Sequence, residues 1–186
     1  SDYTNACALA RSLVADLDPH RGIPSNEMDR LTPFEQYERV MADKDRLWCG
    51  NIAAIFTYAC NALGIPCRSV GMRHQYYPLP EDGEGYEVLM AEGHSTTEIF
   101  SEALNAWVWM DLTFYIWGAY LGEEGPLNLA ELYRYLNIPS RLGRLRIVTY
   151  DPATGVEATL PVLGSEKQKG LQNYLKQDQI FKYTRN

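Results

Sequence analysis

The stretch from Cys49 to Leu63 constrains this chain more than any other. Ile52, Ile55, Phe56, Ala59 and Leu63 recur at helical spacing, and Gly64 and Pro66 stop the pattern. Immediately afterwards the period shortens to that of strands. Cys67–Met72 is short and bounded by Pro66 and Gly71, His94–Phe100 alternates, and Ala106–Asp111 is rich in β-forming residues. A buried helix stripe followed by two-residue alternation predicts helices laid on an antiparallel sheet, an α+β chain. A length of 186 residues leaves room for one domain spanning 1–186.

The remaining elements follow from local signals. Ala6, Leu9, Ala10, Leu13 and Val14 predict an amphipathic helix over Tyr3–Leu17, broken by Asp18-Pro19 and Gly22. Thr32, Pro33 and Glu35 are the N-cap, first position and capping-box partner of a helix reaching about Ala42. Leu127–Leu136 suggests another helix. Arg144–Tyr150 and Val156–Val162 suggest a hairpin turned at Asp151–Gly155. Arg73–Gly93, with Pro78, Pro80, Gly83, Gly85 and Gly93, reads as a functional loop. The tail from Ser165 is either a helix followed by a strand or a frayed end.

Several function classes are disfavoured. No apolar run exceeds five residues, far short of a membrane span, and no leader pattern opens the sequence. The net charge of −7 repels a phosphate backbone, and Arg141, Arg144 and Arg146 lack interleaved aromatics, so nucleic acid is not expected. The acid excess favours cationic or neutral substrates. Four cysteines at 7, 49, 60 and 67 fit neither a disulfide scaffold nor a paired zinc pattern, so no metal and no cofactor is expected.

The hairpin between the two clearest strands carries the chemistry. A four-residue loop Ser101–Leu104 sets Phe100 opposite Asn105, and the same register sets His94 opposite Asp111, with Cβ atoms about 5 Å apart. A one-residue slip would send the two to opposite faces. An imidazole fixed by a carboxylate can activate a nearby thiol. Cys49 is the candidate: it opens the apolar helix after a polar loop, where free N–H groups and the positive helix end favour a thiolate. Gly50 beside it leaves room for a substrate carbonyl.

Two blocks resemble a known family. Leu47-Trp48-Cys49-Gly50-Asn51-Ile52-Ala53-Ala54-Ile55-Phe56, running on to Leu63-Gly64-Ile65-Pro66-Cys67-Arg68, resembles the nucleophile helix of the transglutaminase-like superfamily. Gly93-His94-Ser95-Thr96-Thr97-Glu98 through Trp107-Val108-Trp109-Met110-Asp111 resembles its histidine and aspartate strands. The resemblance spans roughly Leu47–Thr113, about a third of the chain. It implies a papain-like α+β fold, with Cys49 as nucleophile, His94 as general base and acid, and Asp111 orienting His94. There are departures. Relatives commonly carry an aromatic after the cysteine, whereas here Trp48 precedes it and Gly50 follows. The family's side-chain oxyanion donor has no clear counterpart, Gln36 being the one residue considered. No calcium dependence is implied.

Plainer readings compete at each residue. His20 and His74 are rival bases in loop-like stretches without a partnered carboxylate. Cys60 lies three helical turns beyond Cys49 and reads as core. Arg68 is expected to pair with an acid, Glu98 to be either a partner of His94 or a residue on an exposed sheet face, and Trp107 and Trp109 to pack the sheet. The expected function is acyl transfer or hydrolysis on a protein, peptide or other amide or thioester substrate. The alternative is a non-catalytic protein-binding domain on the same scaffold.

Overall fold

A computed structural model describes residues 1–76, 90–175 and 179–184. Among the described residues, six α-helices and seven strands run in the order α1 (Asp2–Leu17), α2 (Pro33–Met41), α3 (Cys49–Ala62), β1 (Cys67–Tyr76), β2 (Met90–Ser101), β3 (Ala106–Met110), β4 (Ile116–Leu121), α4 (Leu129–Leu136), α5 (Pro139–Leu142), β5 (Leu145–Asp151), β6 (Val156–Pro161), α6 (Glu166–Tyr174) and β7 (Gln179–Thr184), with short 3-10 turns at Asp18–His20 and Met28–Arg30. The strands form two antiparallel sheets, β3-β2-β1-β7 and β4-β5-β6. The chain is therefore mixed α+β, as expected.

Strand alternation divides the interior in two. On one face of the larger sheet, Cys67, Ile99, Val108 and Met110 pack with Ala6, Leu13, Ile52, Ile55 and Phe56 of α1 and α3. On the other face, Val70, Met72 and Trp109 pack with Ala119 and Leu121 of β4, Ile147 of β5, Leu132 of α4 and Leu171 of α6. Truncating a fully buried residue such as Phe56 to Ala would cost about 3–5 kcal/mol.

Local chemistry sets the ends of α3. At its C-terminus Gly64 adopts φ 77°, the Ile65 N–H bonds Cys60 O and the Gly64 N–H bonds Asn61 O, the paired closure that a left-handed residue makes possible. The Asn61 side chain then brackets both the N–H and the C=O of Cys67, which starts β1. At α2 the predicted capping box is present, Thr32 Oγ1 accepting from the Glu35 N–H and Glu35 Oε2 accepting from the Thr32 N–H.

Several sequence expectations change. β4 and α5 were not anticipated, because Ile116–Leu121 is nearly continuously buried and shows no alternation. β1 continues to Tyr76 and β2 begins at Met90, so part of the expected loop is strand; residues 77–89 lie outside the described residues. The tail resolves into α6 and β7. Among the described residues, no helix is long and apolar enough to cross a membrane.

The hairpin register also differs. The loop is Glu102–Asn105, with Asn105 at φ 47°, so Ser101 pairs with Ala106 and Phe100 with Trp107 rather than Asn105. An even shift leaves every side chain on its expected face. His94 therefore still shares a face with Asp111, but diagonally.

Candidate active site

The approach to Cys49 is tightly pinned. Asp45, 9% exposed, accepts hydrogen bonds from the Ser25 N–H and hydroxyl, from the Arg46 N–H and from Arg39 Nε. Burial pushes its carboxyl up, but these donors prevail and hold it well below the usual carboxylate range. Two residues on, Leu47 exchanges backbone hydrogen bonds with His20 and Gly22. Trp48 is the N-cap of α3, and its N–H is accepted by Asn51 Oδ1 at 3.2 Å. Cys49 thus occupies the first position of α3, where its N–H has no intrahelical acceptor.

Asn51 continues the brace. Its amide donates to Gln36 Oε1 at 3.0 Å, and Gln36 Nε2 donates to Met28 O and Leu31 O. Both Gln36 amide protons are committed to backbone carbonyls, which argues against Gln36 as the oxyanion donor. Its role is to tie α2 and the preceding turn to the start of α3.

The ladder between β2 and β3 ends at the Thr97–Met110 pair, leaving the earlier residues of β2 without a β3 neighbour on that edge. Cys49 meets β2 here. The His94 ring and the Ser95 N–H act on the Cys49 sulfur, both lowering its pKa, and all three residues line one cleft. His94 Nε2 lies 2.7 Å from Asp111 Oδ2, so Nδ1 is the ring nitrogen left for Cys49. The other Asp111 oxygen accepts from the Phe114 N–H at 3.2 Å, which fixes the carboxylate plane. His94 is 5% exposed and Asp111 1%. The imidazole packs against the rings of Phe114 and Tyr174, with centroids 5.0 and 4.7 Å away, and those two rings also touch each other, 5.8 Å apart.

The electrostatics favour an ion pair. Burial pushes the Cys49 thiol up, but the hydrogen bond and charge of His94, with the Ser95 N–H, outweigh it and hold the thiol below its ordinary value; the Asp111 charge opposes them. Burial pushes the His94 ring down, but Asp111 and then Cys49 overcome this and raise it to about 10. A thiolate beside an imidazolium is the state that both shifts favour.

This pair opens into a cleft of about 520 Å³ lined by Trp48, Gly50, Ala53, Ala54, Gly71 and Gly93, among others. A Cβ added at Gly50 would lie 3.9 Å from Ser95 Oγ and 4.0 Å from Trp48 Nε1, so the glycine keeps open the space next to the sulfur.

The competing residues sit elsewhere. His20 is 3.5 Å from Asp43, in the turn before α3. The side chain of His74 lies outside the described residues. Cys60 and Cys67 are buried free thiols and Cys7 is half-buried. Glu98 is neither exposed nor a partner of His94: fully buried, it pairs with Arg68 and accepts the Leu129 N–H at 2.7 Å. Trp109 is core, and Trp107 packs on Phe100 and Arg68. Among the described residues, no group of three His, Cys, Asp or Glu could hold a metal ion. Sequence reasoning missed Ser95, Asn51, Phe114 and Tyr174. The Asn51 role was open to inference, since an Asn three residues after the N-cap can reach back to it; the others depend on tertiary contacts.

In comparisons with protein-family models, curated proteins and solved structures, the chain finds no match.

Proposed function

We propose that this chain is a thiol-dependent enzyme of the transglutaminase-like, papain-like kind, transferring or hydrolysing acyl groups of amides or thioesters. The observation that carries this reading is the grouping of sulfur, imidazole and buried carboxylate: Cys49 at the first position of α3, His94 lining the same cleft and lowering the thiol's pKa, and Asp111 2.7 Å from His94. The two resembling sequence blocks and a cysteine helix packed on an antiparallel sheet support it further.

The chemistry follows from these groups. The Cys49 thiolate attacks the substrate carbonyl carbon, and the carbonyl π electrons move onto oxygen. The Cys49 N–H is placed to donate to that oxyanion. As the tetrahedral adduct collapses, the His94 imidazolium gives its proton to the leaving amine nitrogen or thiol sulfur, leaving an acyl-thioester on Cys49. A water or amine then loses a proton to His94 and attacks the thioester, and the thiolate is expelled. Asp111 keeps the ring oriented and stabilises its charged form throughout.

Intact-mass spectrometry after mixing with the thiophenyl ester of an N-acyl glycine tests the reading. An adduct of the acyl mass that maps to Cys49, decays in buffer, and is absent in Cys49→Ala supports it. Added primary amine that diverts product from acid to amide identifies transfer; acid alone identifies hydrolysis. Turnover undiminished in Cys49→Ala would overturn the reading.

A further inference from the structure

β7, the strand beside β1 at the edge of the sheet, supplies part of the cleft lining, and its chemistry is distinctive. Lys182 and Thr184 line the same cleft as Cys49 and His94. They alternate along β7, so they share a face, and register sets Lys182 opposite Gly71 and Thr184 opposite Ser69. The lysine is exposed, and no described carboxylate lies within ion-pair distance of it. With no side chain on Gly71, the strand beside Lys182 presents bare backbone toward the nucleophile. Gly50, Ala53, Ala54 and Gly93 are further small residues in the lining.

No acidic residue is found among the described residues lining this cleft, in a chain of net charge −7. Among the described lining residues, Lys182 and His94 are the groups that can carry positive charge, so the charge they bring to the cleft is opposite to the net charge of the molecule. This points to a different substrate charge from the one that the net charge suggests.

We propose that Lys182, with the Thr184 hydroxyl, recognises a carboxylate on the substrate, so that the acyl donor is an anionic amide or thioester. The inference rests on the acyl-transfer reading and names its substrate class. An exposed ammonium on an edge strand pairs with a carboxylate at little folding cost, and the glycine and alanine lining lets an extended substrate run from Lys182 to the sulfur.

Two alkylating reagents that differ in charge test this without knowledge of the natural substrate. The rates of Cys49 modification by iodoacetate and by iodoacetamide are measured by site-resolved mass spectrometry in the full chain. The iodoacetate to iodoacetamide ratio is expected to fall about 3- to 10-fold in Lys182→Met, further in Lys182→Glu, and to be kept in Lys182→Arg. Raising the salt should narrow the wild-type ratio. In parallel, kcat/KM for a succinyl-glycine thiobenzyl ester should exceed that for the acetyl analogue about 10-fold, and Lys182→Met should abolish this preference. Fast iodoacetamide labelling of Cys49 with a ratio unmoved by all three variants would overturn the role of Lys182 alone. Iodoacetamide labelling of Cys49 no faster than that of Cys7 would overturn the acyl-transfer reading itself, and this inference with it.

Discussion

His94 and Asp111 meet across a diagonal of the sheet: their strands pair Thr97 with Met110, yet Nε2 of the ring lies 2.7 Å from Oδ2 of the acid. The contact survives a two-residue difference from the register expected from turn length because side chains alternate with period two. The diagonal also lets Asp111 leave the β2 ladder and pair with Ile116, where the Phe114 N–H reaches its second oxygen.

The paired shifts set the pH dependence. On the proposed chemistry, the reactive ion pair forms as Cys49 loses its proton, below the ordinary thiol value, and is lost as His94 deprotonates at about 10. The pH profile of kcat/KM is therefore a bell whose alkaline limb falls near 10. In Asp111→Asn that limb moves down toward the ordinary histidine range, and kcat falls by about 10³–10⁴-fold. The same raised value makes His94 contribute stability that is complete below about 6.5 and is lost as pH rises through about 10. Urea midpoints across that range check the sign.

Gln36 serves to brace α3, so its removal should be felt in stability before rate. Gln36→Leu loses the bonds to Met28 O, Leu31 O and Asn51. It should cost about 2–4 kcal/mol of unfolding free energy, with kcat on the folded fraction reduced less than 10-fold. A side chain that donated to the oxyanion would give the opposite split, with about 10²–10³-fold lost from kcat. Denaturation and active-site titration on one preparation separate the two.

The pairing behind the sheet predicts an asymmetry. Glu98 is fully buried, whereas Arg68 is 30% exposed and stacks on Trp107 and Tyr183. Arg68→Met leaves a carboxylate buried without its cation and should cost about 3–5 kcal/mol. Glu98→Gln leaves a cation that can reach water and should cost about 1–3 kcal/mol. Urea unfolding of the two variants orders them.

Much of this site was legible in the sequence because its parts lie on elements with strong local signals. The helix stripe after Cys49 fixed where α3 begins, and alternation around His94 and before Asp111 fixed their common face. What could not be read depends on distant packing. Tyr174 reaches His94 from a polar tail with little apolar periodicity, and β4 is too evenly buried to alternate. The sequence suggests Glu98 either on an exposed face or beside His94, because a single sequence does not show that Arg68 and the start of α4 close over it. The hairpin register missed by two residues because a four-residue loop fits at Ser101–Leu104 as readily as at Glu102–Asn105, and only the latter puts Asn105 at the left-handed turn position.

The sharpest measurement is the rate at which each cysteine reacts with iodoacetamide at pH 7, in the wild type and in His94→Ala. Cys7 is held up at about 11, chiefly by burial, and Cys60 is raised by Cys67 and by burial, whereas Cys49 is lowered. The account predicts that Cys49 reacts at least about 10²-fold faster than the other three, and that His94→Ala slows it about 10- to 30-fold, toward the rate of an ordinary thiol. Equal, slow labelling of all four cysteines, unchanged in His94→Ala, would contradict it and favour a binding domain.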